Sequence, residues 1–224
     1  CGAGWMREEF EALGLPDFEA RGRVTNEYLE AMKVLWTEAR ASYQGEFVAF
    51  NDVAADPKPE QTPHPPIWMG GGSMTFEKKY GQKVTNIEPV LKRIAKYAET
   101  WVPHAPASLE MINSDWEKIQ TFMGDFGRDP SDMSTVYNNW IYVLKPGENP
   151  ENAVPHFSTY SGMDLPYWQE YYLCGEAEQV AEKIADRVKA LGGCEWIVLN
   201  TLNWGDEQLE LVANEVLPLV EKAV

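Results

Sequence analysis

Apolar side chains along the chain alternate between two rhythms. Tyr28, Leu29, Met32, Leu35 and Trp36 recur at three and four, which predicts a helix over 25–38 with Thr25 or Asn26 as its cap. Ser42 to Phe50 reads as a β-hairpin around Gln44-Gly45, and the proline-rich stretch from Pro57 to Pro66 supports neither helix nor ladder. The run Pro66-Ile67-Trp68-Met69 predicts a short buried strand that stops at Gly70-Gly71-Gly72-Ser73. A helix follows with Val90, Leu91, Ile94 and Tyr97 inward, then a strand from Thr100 to His104. The clearest helix carries Leu109, Ile112, Trp116, Ile119, Met123 and Phe126, with Ser108 as cap and Gly127 as stop. A strand over 135–144, a helix over 176–191 ended by Gly192-Gly193, a buried strand over 194–199 and a final helix from Asp206 complete the series. That last helix is expected to bury Leu209, Val212, Val216 and Leu219. Strand-length apolar runs separated by helices predict an α/β fold with parallel strands covered on both faces. A closed barrel and a doubly wound open sheet both satisfy the pattern.

Charge narrows the partners. With 19 Lys+Arg against 35 Asp+Glu, the net charge is −16, which argues against nucleic acid and against an anionic membrane surface. Three scattered cysteines, Cys1, Cys174 and Cys194, fit free thiols in a reducing compartment and predict a cytoplasmic protein. The chain opens Cys-Gly-Ala-Gly-Trp, which predicts that residue 1 is not the start of translation.

Chemistry is expected beyond the carboxyl ends of the strands, where ligands of both α/β architectures bind. Gly70, Gly71, Gly72 and Ser73 follow a strand directly, so their backbone N–H groups and one hydroxyl form a candidate phosphate cradle. From Gly70 to Thr100, six bases (Lys78, Lys79, Lys83, Lys92, Arg93, Lys96) stand against three acids (Glu77, Glu88, Glu99), a local excess of positive charge; a flexible turn beside a solvated helix is the other reading. His104, at a strand end, is the candidate proton donor or acceptor. His64 is expected in solvent. The stretch from Lys145 to Leu173 contains His156, Phe157, Tyr160, Tyr167, Trp168, Tyr171 and Tyr172. Its aromatics, Tyr160 and Trp168 among them, either wall an apolar substrate or form the small core of an excursion. No zinc spacing, calcium loop or Gly-x-Ser-x-Gly elbow occurs, so the sequence predicts no metal site.

Five strings then carry a resemblance: Gly2-Ala3-Gly4-Trp5-Met6-Arg7-Glu8-Glu9-Phe10-Glu11-Ala12-Leu13-Gly14; Arg21-Gly22-Arg23 before Tyr28-Leu29-Glu30-Ala31; Tyr43-Gln44-Gly45-Glu46-Phe47; Pro57-Lys58-Pro59; and Pro65-Pro66-Ile67-Trp68-Met69-Gly70-Gly71. In order and spacing they resemble the bacterial luciferase-like monooxygenases, most of all the branch that uses the deazaflavin coenzyme F420, with FMN the alternative. The resemblance implies a (β/α)8 TIM barrel, of which residues 1–224 are one domain holding roughly strands 4 to 8 and lacking the first three βα units. It further implies cofactor phosphate on Gly70 to Ser73, a ring system near Gly4 and Trp5, a small-molecule substrate, and a homo-oligomer. The expected activity is that of a flavin- or deazaflavin-dependent oxidoreductase or monooxygenase. A barrel acting on a phosphorylated metabolite, or a truncated non-catalytic member, are the competing readings.

Overall fold

The computed structural model describes residues 1–15, 17–75, 86–202 and 205–224, with no side-chain description for 158–161. A short helix α1 (Arg7–Ala12) and a 3₁₀ turn (Phe18–Ala20) lead into α2 (Arg21–Thr37). Helix α2 begins four residues earlier than the apolar spacing predicts, because Asp17 caps the 3₁₀ turn through the Glu19 amide and the helix runs on from it. Strands β1 (Ala41–Gln44) and β2 (Ala49–Val53) form the antiparallel hairpin. Glu27 of α2 fastens its turn, accepting the amides of Glu46, Phe47 and Val48.

The remaining strands are parallel: β3 (Trp68–Gly70), β4 (Thr100–Val102), β5 (Ser134–Leu144), β6 (Leu173–Glu176) and β7 (Trp196–Thr201). Helices α3 (Glu88–Tyr97), α4 (Leu109–Asp125), α7 (Ala177–Ala190), α8 (Asp206–Leu211) and α9 (Leu217–Ala223) follow them, and α5 (Val154–Ser161) and α6 (Leu165–Tyr171) lie between β5 and β6. No helix among the described residues is long and apolar enough to cross a membrane.

Strand β5 organises the sheet. Its first two residues pair with β4, Val136 to Ile141 pair with β7, and Ile141 to Leu144 pair with β6. The main core fills the space between this sheet and its helices, with Leu91, Ile94, Trp101, Ile112, Ile119, Met123, Ile141 and Ile184 all at 2% exposure or less. Helix α4 is built as its sequence predicts: the Ser108 hydroxyl accepts the Met111 amide, and Gly127 stands at φ +69° just beyond the last turn.

Three sequence expectations change. Strand β6 is too short, and too close to the acidic start of α7, to show in the apolar pattern; Glu176 ends the strand and also caps the helix in a reciprocal pair with Gln179. Strand β7 is not covered on both faces, since Trp196 is 56% and Val198 38% exposed. In the last helical segment, Val212–Val216 is a π turn, which widens the repeat. The buried set therefore becomes Gln208, Val212, Val216 and Val220, while Leu209 faces solvent.

Gln208 explains why a polar residue is buried there. Its side-chain amide donates to the Val143 carbonyl at 2.9 Å and accepts the Val143 amide at 2.8 Å, doing for β5 what a neighbouring strand would do. Gln208→Leu is expected to orphan both groups and to lower stability by about 2–4 kcal/mol in urea unfolding; an unchanged midpoint would refute this role.

Candidate functional site

Strands β3 and β4 end side by side, and the chain gathers several groups at their carboxyl ends. The N-terminal segment runs along β3: the Cys1 ammonium donates to the Trp68 carbonyl, and the Gly70 amide donates to the Cys1 carbonyl at 3.0 Å. This carries Gly4 and Trp5 toward the same edge as Gly70 to Ser73. Gly4 packs under the Phe10 ring, and the Trp5 indole is 48% exposed.

The glycine loop is shaped from three sides. The Gly71 amide donates to the Val102 carbonyl at 3.2 Å, and the Trp101 indole N–H donates to the Gly71 carbonyl at 2.8 Å. Trp101 is itself held flat against Trp116, with ring centroids 5.7 Å apart and 6° between planes. Asp115, 2% exposed on α4, takes the third side: its carboxylate accepts the Ser73 amide at 2.5 Å and the Ser73 hydroxyl at 2.9 Å. Side chains are excluded at two positions. Gly71 (φ +153°) would place a Cβ 2.8 Å from Val90 Cγ1, and Gly72 (φ +131°) would place one 2.9 Å from Asp115 Oδ2.

These contacts redistribute the donors expected of the cradle. The amides of Gly70 and Gly71 and both donors of Ser73 bind groups of the chain itself. Among the described residues, the amides of Gly72 and Met74 have no hydrogen-bond partner. The positive charge expected beside the loop is also arranged differently. Lys92 pairs with Glu88, Arg93 donates to Asn26, and Lys96 pairs with Glu30, so the cations of α3 bind within α3 or to α2 rather than reach the loop. Lys78, Lys79 and Lys83 lie outside the described residues.

Thr75 joins the loop to the excursion. Its hydroxyl donates to the Pro106 carbonyl at 2.7 Å and lies 2.9 Å from the Tyr167 hydroxyl of α6, which therefore donates to it. Burial pushes the Tyr167 phenol above its ordinary value. Trp168, the neighbouring residue, is enclosed: at 1% exposure it stacks on Phe157 and Tyr172 with centroid separations of 4.2 and 4.1 Å. Of the two readings of these aromatics, Trp168 follows the small-core one, because a ring covered on both faces presents no surface to a substrate. The Tyr160 side chain lies outside the described set.

His104 stands in the turn between β4 and α4. Burial holds its imidazole below the ordinary range, with the Asp115 charge acting in the opposite sense, so the ring is neutral at pH 7. His64 lies instead against Trp36, and His156 stacks on Tyr142 at 5.0 Å. Asp115 is the residue of this corner that apolar spacing passes over, whereas Tyr167 is one of the aromatics counted in the stretch before β6. The available signal for Asp115 is a charge three residues after Ile112 and four before Ile119, on the buried stripe of α4.

With the loop and sheet placed, comparison with known proteins is decisive about ancestry. The family model of the luciferase-like monooxygenases matches residues 1–171. The chain belongs to the luciferase-like monooxygenase family. It is 42% identical over 73 residues to the FMNH(2)-dependent dimethylsulfone monooxygenase of Pseudomonas putida, covering 32% of this chain and 20% of that protein. It is 35% identical over 128 residues to an uncharacterised Mycobacterium tuberculosis protein, covering 57% of this chain and 39% of that one. The chain therefore spans well under half the length of these curated relatives. In structure it superposes on an F420-dependent secondary alcohol dehydrogenase with a TM-score of 0.77 at 19% identity, covering 98% of this chain and 68% of the other. The coenzyme F420-dependent tetrahydromethanopterin reductase of Methanopyrus kandleri gives 0.68 at 16% identity, with 97% and 72% covered. At these identities the likeness establishes the fold, a mixed α/β parallel sheet of the luciferase-like barrel type.

A neutral, half-buried imidazole makes stability pH-dependent with a definite sign. The folded-state value lies below the unfolded one, so the contribution is present above pH 6.5, the ordinary value, and is lost as pH falls below it. Wild type is expected to lose at most about 1.4 kcal/mol per pH unit on this account, and His104→Gln to flatten that acid limb in thermal melts between pH 7 and 5. Parallel curves for the two proteins would exclude His104 as the cause.

Proposed function

We propose that the protein to which this chain belongs is an oxidoreductase of the monooxygenase type. It would use a reduced flavin or deazaflavin, the F420 coenzyme before FMN, on a small organic substrate. The observation that carries this reading is the convergence, at one sheet edge, of unpaired loop amides, the Gly4-Trp5 segment and a neutral histidine. The family match supports it, as do the FMNH(2)-dependent and F420-dependent relatives.

An anionic cofactor tail fits the loop through Gly72 and Met74, whose N–H groups are free to donate among the described residues. Gly70, Gly71 and Ser73 act indirectly: they fix the loop path through Cys1, Val102 and Asp115. Trp5 is the chain's candidate for the ring edge. When bound, the cofactor supplies the hydride or oxygen chemistry. The chain supplies orientation, exclusion of water by the Tyr167–Thr75 contact, and a proton held or passed at the His104 imidazole. Tyr160 is retained as a substrate-facing candidate at the excursion, and a homo-oligomer in the cytoplasm is the setting we propose.

Titration of the intact protein with FMN and with F420, followed by quenching of tryptophan fluorescence, tests this reading. Saturable binding of at least one is expected, with His104→Gln keeping the affinity within about threefold while turnover falls by about 10²-fold or more. Absence of binding by both cofactors would overturn the assignment and return the loop to the phosphorylated-metabolite reading.

A further inference from the structure

A carboxylate fixed inside a loop whose free donors are proposed to hold an anion has a consequence for which anion it accepts. Asp115 is 2% exposed, and its two oxygens are bound by the amide and the hydroxyl of Ser73, the residue between the two free amides of Gly72 and Met74. The Gly72 backbone passes so close that a Cβ there would lie 2.9 Å from Oδ2. Among the described residues no ion pair involves Asp115, and the described bases of α3 bind Glu88, Asn26 and Glu30. His104, the other titratable group whose charge acts with it, is neutral at pH 7. A phosphate seated on the free amides therefore meets, at close range and in a poorly screened setting, a negative charge that no described cation pairs with.

From this geometry we infer that Asp115 is a specificity-determining residue that tunes the loop to a phosphate group of single negative charge, a phosphodiester, and against the dianion of a phosphate monoester. The inference rests on the flavin-type reading above and deepens it. A phosphate monoester carries about −1.5 to −2 at pH 7, because its second ionisation lies near pH 6. A phosphodiester has no second proton to lose and stays at −1. FMN ends in the first group, and the deazaflavin coenzyme carries the second. Repulsion grows with the ligand's charge, whereas the hydrogen bonds donated by Gly72 and Met74 are the same for both.

A charge ladder of ligands sharing one ring isolates the effect: riboflavin with no phosphate, riboflavin 4′,5′-cyclic phosphate with one charge, and FMN with two. Dissociation constants at pH 8 are measured on the full chain and on Asp115→Asn, which removes the charge and keeps a carbonyl oxygen to accept from Ser73. Riboflavin affinity is expected to stay within about twofold. That of the cyclic phosphate should rise about threefold and that of FMN about tenfold or more. Equal changes for all three ligands would reduce Asp115 to a structural brace and overturn the inference, as would weaker FMN binding with riboflavin unaffected. The wild-type protein supplies a test that needs no variant to fold: it should bind the cyclic phosphate more tightly than FMN, and the reverse order would overturn the inference. If wild type binds the deazaflavin coenzyme and none of the three flavins, FMN binding gained by Asp115→Asn supports the inference and its absence refutes it. If wild type binds neither the flavins nor the deazaflavin, the functional reading itself falls, and the inference falls with it.

Discussion

The hydrogen bonds between Ser73 and the buried Asp115 carboxylate hold the glycine loop after β3 and the face of α4 in one arrangement. An ionised carboxylate taken out of water is costly unless its lone pairs are satisfied. Charge-assisted hydrogen bonds of this kind contribute about 1.5–3 kcal/mol each. The loop after β3 is therefore pulled onto α4, and the two glycines before Ser73 are what let the main chain pass Val90 and Asp115 closely enough to arrive there. Trp101 adds a further restraint through its indole N–H, and its stacking on Trp116 makes that restraint stiff. Loop, strand end and helix face thus form one rigid corner, with the remaining donors fixed in direction.

Everything around that corner follows from the parallel sheet. Parallel strands put all their carboxyl ends at one edge, so segments remote in sequence meet there without any special device. The 11-residue β5 extends the principle, serving three neighbours in turn along its length. Where strand partners run out, Gln208 takes over the main-chain groups of Val143. The excursion of α5 and α6 carries a second core of its own, built on stacked aromatic rings, and this makes it a packed unit rather than a loose loop.

Much of this was legible in the chain. The α/β class, the helices α3, α4 and α7, the glycine loop after β3 and the family all follow from apolar spacing and five short strings. The failures have physical causes. The start of α2 depends on the preceding 3₁₀ turn, and β6 shares Glu176 with the next helix. The register of the last helix is altered by a π turn that no 3.6-residue template contains. Counting bases near the glycines takes no account of partners: Lys92 and Lys96 are claimed by carboxylates and Arg93 by an asparagine, Lys78, Lys79 and Lys83 lie outside the described residues, and the charge that binds Ser73 is an aspartate 42 residues further along. Trp168 and Tyr167 are adjacent and both pack on the small core, yet Trp168 is enclosed within it while Tyr167 sits at its margin with its hydroxyl on Thr75. A count of aromatics has no means of separating them.

Thr75 gives the corner a polarity. A hydroxyl has one proton and two lone pairs; here the proton goes to the Pro106 carbonyl and one lone pair receives Tyr167. What remains is a single lone pair, so the side chain meets any arriving molecule purely as an acceptor. Next to main-chain amides that only donate, this sets two opposite demands within a few residues. Donors and an acceptor thus stand close together along the loop, which gives it a direction of its own.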